Sequence, residues 1–254
     1  MLIKTINPAT QEPMQTYPVF EKEQVHALID AANISYHAWR TTSLEQRAKP
    51  MLQMAKLLKD NKREYASLMA GEMGKPVTAG QAEIDKCAWV CEHYAKHASS
   101  YLKPRLLDTE MRQTKVCYQP LGVIFAIMPW NFPFWQVFRF AVPSIMAGNA
   151  VILKHAPITT GTGNKIAELF LQAGFPEHLV QHFILDNDLA AQVISNDKVM
   201  GVTLTGSEKA GQAVGANAVG HLKKIVLELG GNDPYLVLAD ADLDQAAECI
   251  VKSR

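Results

Sequence analysis

Asn131, Arg139, Lys154, Ser207 and Glu228 are the residues of this chain whose types and settings could do chemistry. The stretch MPWNFPFWQVFRFAVP, Met128 to Pro143, is almost all apolar or aromatic, yet it holds an asparagine and an arginine. An unpaired buried amide or guanidinium is costly, so either the fold or a ligand must satisfy both. Pro129 and Pro133 fix a turn with Asn131 at its tip. A neutral amide there could donate N–H groups to a developing oxyanion, or it could satisfy loop backbone. Lys154 leaves the run AVILK, where a ligand phosphate or ribose would lie, or where the ammonium is simply solvated. Gly206 and Ser207 follow VTLT; Ser207 reads as an N-cap, and a helix start directly after a strand favours anions. Glu228 closes IVLE and is expected to be desolvated, with its pKa raised, which suits a general base. The alternative is a carboxylate reaching solvent or Lys224.

Elements must bring these groups together. From Glu21 to about Tyr101 the apolar spacing is helical. Ser43 and Gln46 form a capping box, Pro50 is expected to bend its helix or end its first turn, and Gly74 stops the next one. A long helix from about Thr78 to Tyr101 follows. Pro104 to Gly122 reads as a β-hairpin. From Leu121 the period changes. LGVIFAIMP, AVILKHAP, LVQHFIL, VMGVTLTG and KKIVLELGG are short Val/Ile/Leu-rich runs, with helical stretches between several of them. Strands alternating with helices give an α/β fold, a Rossmann-like parallel sheet covered on both faces. The expected organisation is a helical part over 1–103, a bridging hairpin over 104–120 and a dinucleotide-binding α/β core over 121–254. Ligands of such sheets gather at the carboxyl ends of the strands, so Asn131, Lys154 and Glu228 are expected around one crevice. The G-T-G at Gly161 to Gly163 lacks the third glycine of a dinucleotide fingerprint, and Gln212 stands where a P-loop needs lysine.

The chain has 254 residues, 48% of them hydrophobic, so a large core is available. Lys plus Arg and Asp plus Glu both number 25, which argues against a nucleic-acid or membrane-surface partner. MLIKTINPATQEP has no leader-like apolar stretch, and Leu121 to Pro129 is too short to span a bilayer. A soluble, cytoplasmic protein is expected. Cys87, Cys91, Cys117 and Cys249 form no C-x-x-C pair and read as reduced thiols. A metal site with His93 and His97 is the alternative to a plain helix there, but no H-E-x-x-H supports it and no metal is expected.

MPWNFPFWQV, LKHAP, TGS and LELGGNDP, in that order, with INPAT and AGFPEHLV, resemble the aldehyde dehydrogenases from about Ile6 onward. LKHAP and WNFPFWQV look most like the bacterial succinate-semialdehyde dehydrogenases. The resemblance implies NAD or NADP as cofactor and a small aldehyde, expected to be carboxylated, as substrate. It implies catalytic roles for Asn131, as oxyanion donor, and Glu228, as the base that activates the deacylating water. Met128, Pro129, Trp130 and Leu229 would line the nicotinamide side, Lys154 would bind the adenosine ribose, and Gly206 and Ser207 would face the pyrophosphate. Arg139 would hold the substrate's distal carboxylate, or serve an interface or core salt bridge instead. Pro157 stands where many NAD-preferring members carry a glutamate, so nothing there repels a 2′-phosphate. The family's nucleophilic cysteine lies in an N-x-G-Q-x-C-like stretch that is expected beyond Arg254, because Cys249 has no G-Q before it. The chain therefore resembles the N-terminal half of such an enzyme and is expected to be inactive alone. Full-length relatives are expected to be homo-oligomers. A non-catalytic nucleotide-binding or assembly module derived from the family is the other reading.

Overall fold

The computed structural model describes residues 1–253. The chain opens with β1 (Leu2–Ile6) and β2 (Pro13–Pro18), an antiparallel hairpin that the sequence pattern did not reveal. The reason is burial: apart from Thr5 and Tyr17 these strands are largely exposed, so no apolar alternation marks them.

Four helices follow. α1 (Lys22–Trp39) buries Val25, Ile29, Ala32, Tyr36 and Trp39 along one stripe. α2 (Leu44–Asp60) starts on the expected box, with Ser43 Oγ accepting from Gln46 N–H and Gln46 Oε1 accepting from Ser43 N–H. Pro50 neither ends nor interrupts this helix, which continues to Asp60. α3 (Lys62–Met73) ends at Gly74, whose φ of 77° is the left-handed conformation that favours glycine. α4 (Val77–Tyr101) packs on α2 and α3. β3 (Arg105–Leu107) and β4 (Thr114–Val116) then pair as the expected exposed hairpin.

The remainder alternates. β5 (Val123–Met128), α5 (Trp135–Met146), β6 (Ala150–His155), a 3₁₀ turn at Pro157–Thr159, α6 (Thr160–Gln172), β7 (Val180–His182), α7 (Asn187–Ser195), β8 (Val199–Thr205), α8 (Glu208–Gly220) and β9 (Lys224–Glu228) succeed one another, and α9 (Leu243–Ser253) closes the described chain. The five later strands form one parallel sheet in the order β7-β6-β5-β8-β9. The chain starts at β5, builds outward through β6 and β7, then returns to the other side for β8 and β9. The reversal between β5 and β8 is a topological switch point, where such sheets open a crevice at their carboxyl ends.

Register assigns faces, because side chains alternate along a strand. Ile127, Lys154, Leu204 and Leu227 stand in one row and point to one face of the sheet. Met128, His155, Thr205 and Glu228 lie one residue further along their strands and point to the opposite face. One apolar core runs from α1 to α8 through both layers.

Candidate functional site

The loop after β5 is tied down on two sides. Glu83 of α4 is buried, and its Oε1 accepts from the N–H groups of Phe134 and Trp135 at 2.9 and 2.8 Å, so a carboxylate caps the start of α5. Lys75, ion-paired with Glu83, donates to the Asn131 carbonyl at 2.9 Å. From the other flank, His155 Nε2 donates to the Pro133 carbonyl at 2.9 Å. Its Nδ1 takes Thr159 Oγ1–H at 2.7 Å, which fixes the tautomer. Within the loop, Asn131 Oδ1 accepts from Phe132 N–H at 3.0 Å. The Nδ2 N–H groups have no partner among the described residues. Asn131, Trp130 and Phe132 are exposed, whereas Met128 and Pro133 are buried. The asparagine thus satisfies loop backbone with its oxygen and keeps its donors free.

Lys154 opens on the other face. Its side chain borders a pocket of about 220 Å³ between the sheet, α7 and α8, lined also by Ile127, Asn187, Leu204 and Val214. It borders a second hollow of about 370 Å³ that includes Pro157 and Asp186. Burial pushes the Lys154 ammonium below its ordinary pKa, and Asp186 draws it part of the way back. Lys154 is half-buried, and no hydrogen bond or ion pair reaches its ammonium among the described residues.

Ser207 is an N-cap, with its Oγ accepting from Ala210 N–H at 3.3 Å. Gly206 uses its own N–H on the Glu228 carbonyl, and a side chain there would meet only Leu204, so space above it is open. The neighbouring helix starts are taken by carboxylates: Glu83 on α5, Glu72 on α6 and Asp186 on α7. α8 has only a neutral hydroxyl cap, with Glu208 in its first turn. Leu229 lies over Gly211 so closely that a Cβ at 211 would stand 2.5 Å from Leu229 Cδ2. The G-T-G segment is structural: Gly161 and Gly163 make room for the Glu72 carboxylate and the His182 ring.

Arg139 and Glu228 meet on the face opposite Lys154, as an ion pair. They border a hollow of about 320 Å³ with Met128, Gln136, Thr203 and Thr205. Two expectations need correction. Glu228 is not desolvated: its side chain is 48% exposed because β9 is an edge strand, and its partner is Arg139 rather than Lys224. Nor do the three named groups share a single-sided crevice. Glu228 points to the α5 side and Lys154 to the α7–α8 side, three strand spacings or roughly 14 Å apart across the edge, while Asn131 sits in the loop after β5, between them in strand order. A ligand touching all of them must cross the strand tips at the switch point.

Sequence reading missed Lys75, Glu83, His155 and Gln136. Gln136 Oε1 is buried without a hydrogen-bond partner while its residue borders the hollow. Glu83 lies 51 residues from the N–H group it caps, so no local pattern could have exposed it. The cysteines stay out of the site. Cys87 and Cys91 are sealed in α4, their thiols pushed up by burial, and Cys117 and Cys249 lie exposed beyond β4 and on α9. No group of three or more metal-ligating side chains occurs among the described residues, and no described helix is long and apolar enough to cross a membrane.

A parallel sheet with a switch point, helices on both faces and polar groups at its carboxyl edge defines a doubly wound α/β protein. The sequence matches the aldehyde dehydrogenase family over residues 1–254, and the chain belongs to that family. It is 45% identical over 254 residues to a Synechocystis protein named "Probable succinate-semialdehyde dehydrogenase" with NADP(+), covering 100% of this chain and 56% of that protein. It is 42% identical over 250 residues to the Escherichia coli succinate semialdehyde dehydrogenase with NAD(P)+, covering 98% and 54%. The succinic semialdehyde dehydrogenase of Streptococcus pyogenes, solved in complex with NADP+, superposes with a TM-score of 0.94 at 36% identity, covering 97% of this chain and 54% of that one. The chain spans about half the length of the curated relatives it matches.

Proposed function

We propose that this chain forms the NAD(P)-binding part, and one side of the active site, of a cytoplasmic enzyme that oxidises succinate semialdehyde to succinate. The observation that carries the reading is the split of polar groups across the switch point. An unpartnered ammonium beside a pocket lies on one side and an Arg–Glu pair on the other, with a free amide in the loop between them. The residues fit a dinucleotide. Lys154 takes the adenosine ribose, the pocket between α7 and α8 the adenine, and the start of α8 at Gly206 and Ser207 the pyrophosphate. Met128, Pro129, Trp130 and Leu229 border the nicotinamide end. Pro157 lines the hollow beside Lys154 and carries no charge to repel a 2′-phosphate at that position, although Asp186 borders the same hollow.

Bound, NAD(P)+ supplies the hydride acceptor. The thiolate nucleophile is not among this chain's residues; three side chains of the chain take the roles that follow. Asn131 donates its free N–H groups to the oxyanion that forms as a thiolate adds to the aldehyde. Glu228 accepts a proton from the water that hydrolyses the thioester. Arg139 holds the distal carboxylate, which competes with Glu228 for the same guanidinium.

The chain binds NAD+ and NADP+ in isothermal titration, and Lys154→Ala weakens both. Succinate perturbs the Arg139 side chain in NMR titration, an effect lost in Arg139→Ala and kept in Lys154→Ala. No heat with either dinucleotide would defeat the reading. The second reading is a nucleotide-binding module without chemistry. It shares the dinucleotide result, and NAD(P)H formation by the pure 254-residue chain with succinate semialdehyde would exclude it. The expected outcome is binding without turnover.

A further inference from the structure

We infer that Lys75 and Glu83 are positioning residues for the Asn131 side-chain amide. The functional meaning rests on the oxyanion reading of Asn131; the geometry stands apart from it. α5 has no side-chain cap from its own N-cap residue, Phe134. Glu83 supplies one from α4, accepting from two successive N–H groups, while its other oxygen pairs with Lys75. Lys75 in turn holds the Asn131 carbonyl, and its ammonium lies 3.8 Å from the Phe132 ring centroid. The pair therefore grips residues 131, 132, 134 and 135, on both sides of Pro133.

Both side chains are withdrawn from solvent, with relative exposures of 9% for Lys75 and 1% for Glu83. A buried ion pair is a poor source of stability, since apolar residues of like volume often do as well. Apolar residues cannot offer a donor to one carbonyl and an acceptor to two amides at fixed points. Backbone rigidity is built in on the lysine side. Lys75 sits between Gly74, whose left-handed turn ends α3, and Pro76, which starts α4. With His155 holding Pro133 from the sheet side, the loop is tethered from three elements. Asn131 Oδ1 then accepts from Phe132 N–H, and the Nδ2 donors are left without a partner among the described residues.

The test uses the ¹⁵N-labelled 254-residue chain. The Asn131 side-chain NH₂ signals are identified by their loss in Asn131→Asp. In Lys75→Met those signals shift or broaden, and the Phe134 and Trp135 amides exchange about tenfold faster, the scale of one charge-assisted hydrogen bond. The amides of Phe125 and Ala126 in β5 keep their wild-type rates. Lys75→Arg restores the Asn131 signals. A purely structural role would lower global stability without moving the Asn131 signals in the folded molecule. Should Lys75→Met fail to fold, Lys75→Met with Glu83→Gln removes both charges, leaves an Oε1 acceptor, and is expected to shift the Asn131 signals alone. Asn131 signals unchanged in whichever of these variants folds would overturn the inference. Failure of wild-type chain to bind NAD+ or NADP+ would instead strike at the proposed function and leave this result standing.

Discussion

The same few polar side chains both build the site and hold it. Asn131 spends its oxygen on the loop and keeps its donors, a division that no reading of residue type could settle. Arg139 was legible as an anomaly in an apolar run, but its partner was not, because Glu228 lies 89 positions away on an edge strand. His155 and His182 are buried histidines whose burial pushes them down to about 4 and about 3 from an ordinary 6.5. Unfolded, both take up a proton as the pH falls through 6.5; folded, they stay neutral until those lower values. Proton uptake in that window favours the unfolded chain, so stability present above pH 6.5 is lost progressively toward about pH 3. Urea midpoints measured between pH 7 and pH 4 should fall. A flat profile would mean that the two imidazoles are not sealed as the structure has them.

Among elements, the helical part does more than cover the sheet. Two of its buried carboxylates cap helices of the α/β core: Glu83 on α5, and Glu72 on α6 through Gly161 N–H at 2.7 Å and Thr162 N–H at 2.9 Å. Desolvation raises the Glu72 carboxyl, and the Thr162 and Gly161 donors pull it back. Glu72→Ala would orphan those amides and cost about 1–3 kcal/mol, measurable as a lower urea midpoint. Gly163→Ala should also destabilise, by about 1–3 kcal/mol, because the added Cβ would stand 2.6 Å from the buried His182 ring. Wild-type stability in that variant would show that α6 can move off the sheet. Element types and most boundaries were readable because local periodicity and caps report them. The β1–β2 hairpin was not, since strands with little buried surface carry little pattern.

For the whole molecule, the exposed edge is the dominant feature. β9 is an edge strand, Val226 is 60% exposed, and Leu236, Leu238, Leu243 and Val251 are exposed beyond it. An unpaired strand edge beside apolar surface favours association. Light scattering should show concentration-dependent self-association, reduced by Val226→Lys; a strictly monomeric chain at high concentration would contradict this. By itself, the sequence determined the alternation of strands and helices, the identity of the residues at the strand tips and the family they spell, because periodicity, caps and motifs are local. Only the tertiary structure decided which face each tip serves. Register placed Lys154 on one side of the sheet and Glu228 on the other, and it paired Arg139 with Glu228. It also made Lys75, in the turn between α3 and α4, and Glu83 of α4 the anchors of the Asn131 loop. Those outcomes depend on contacts between residues far apart in the chain, and strand order and packing create such contacts only once the layers have come together.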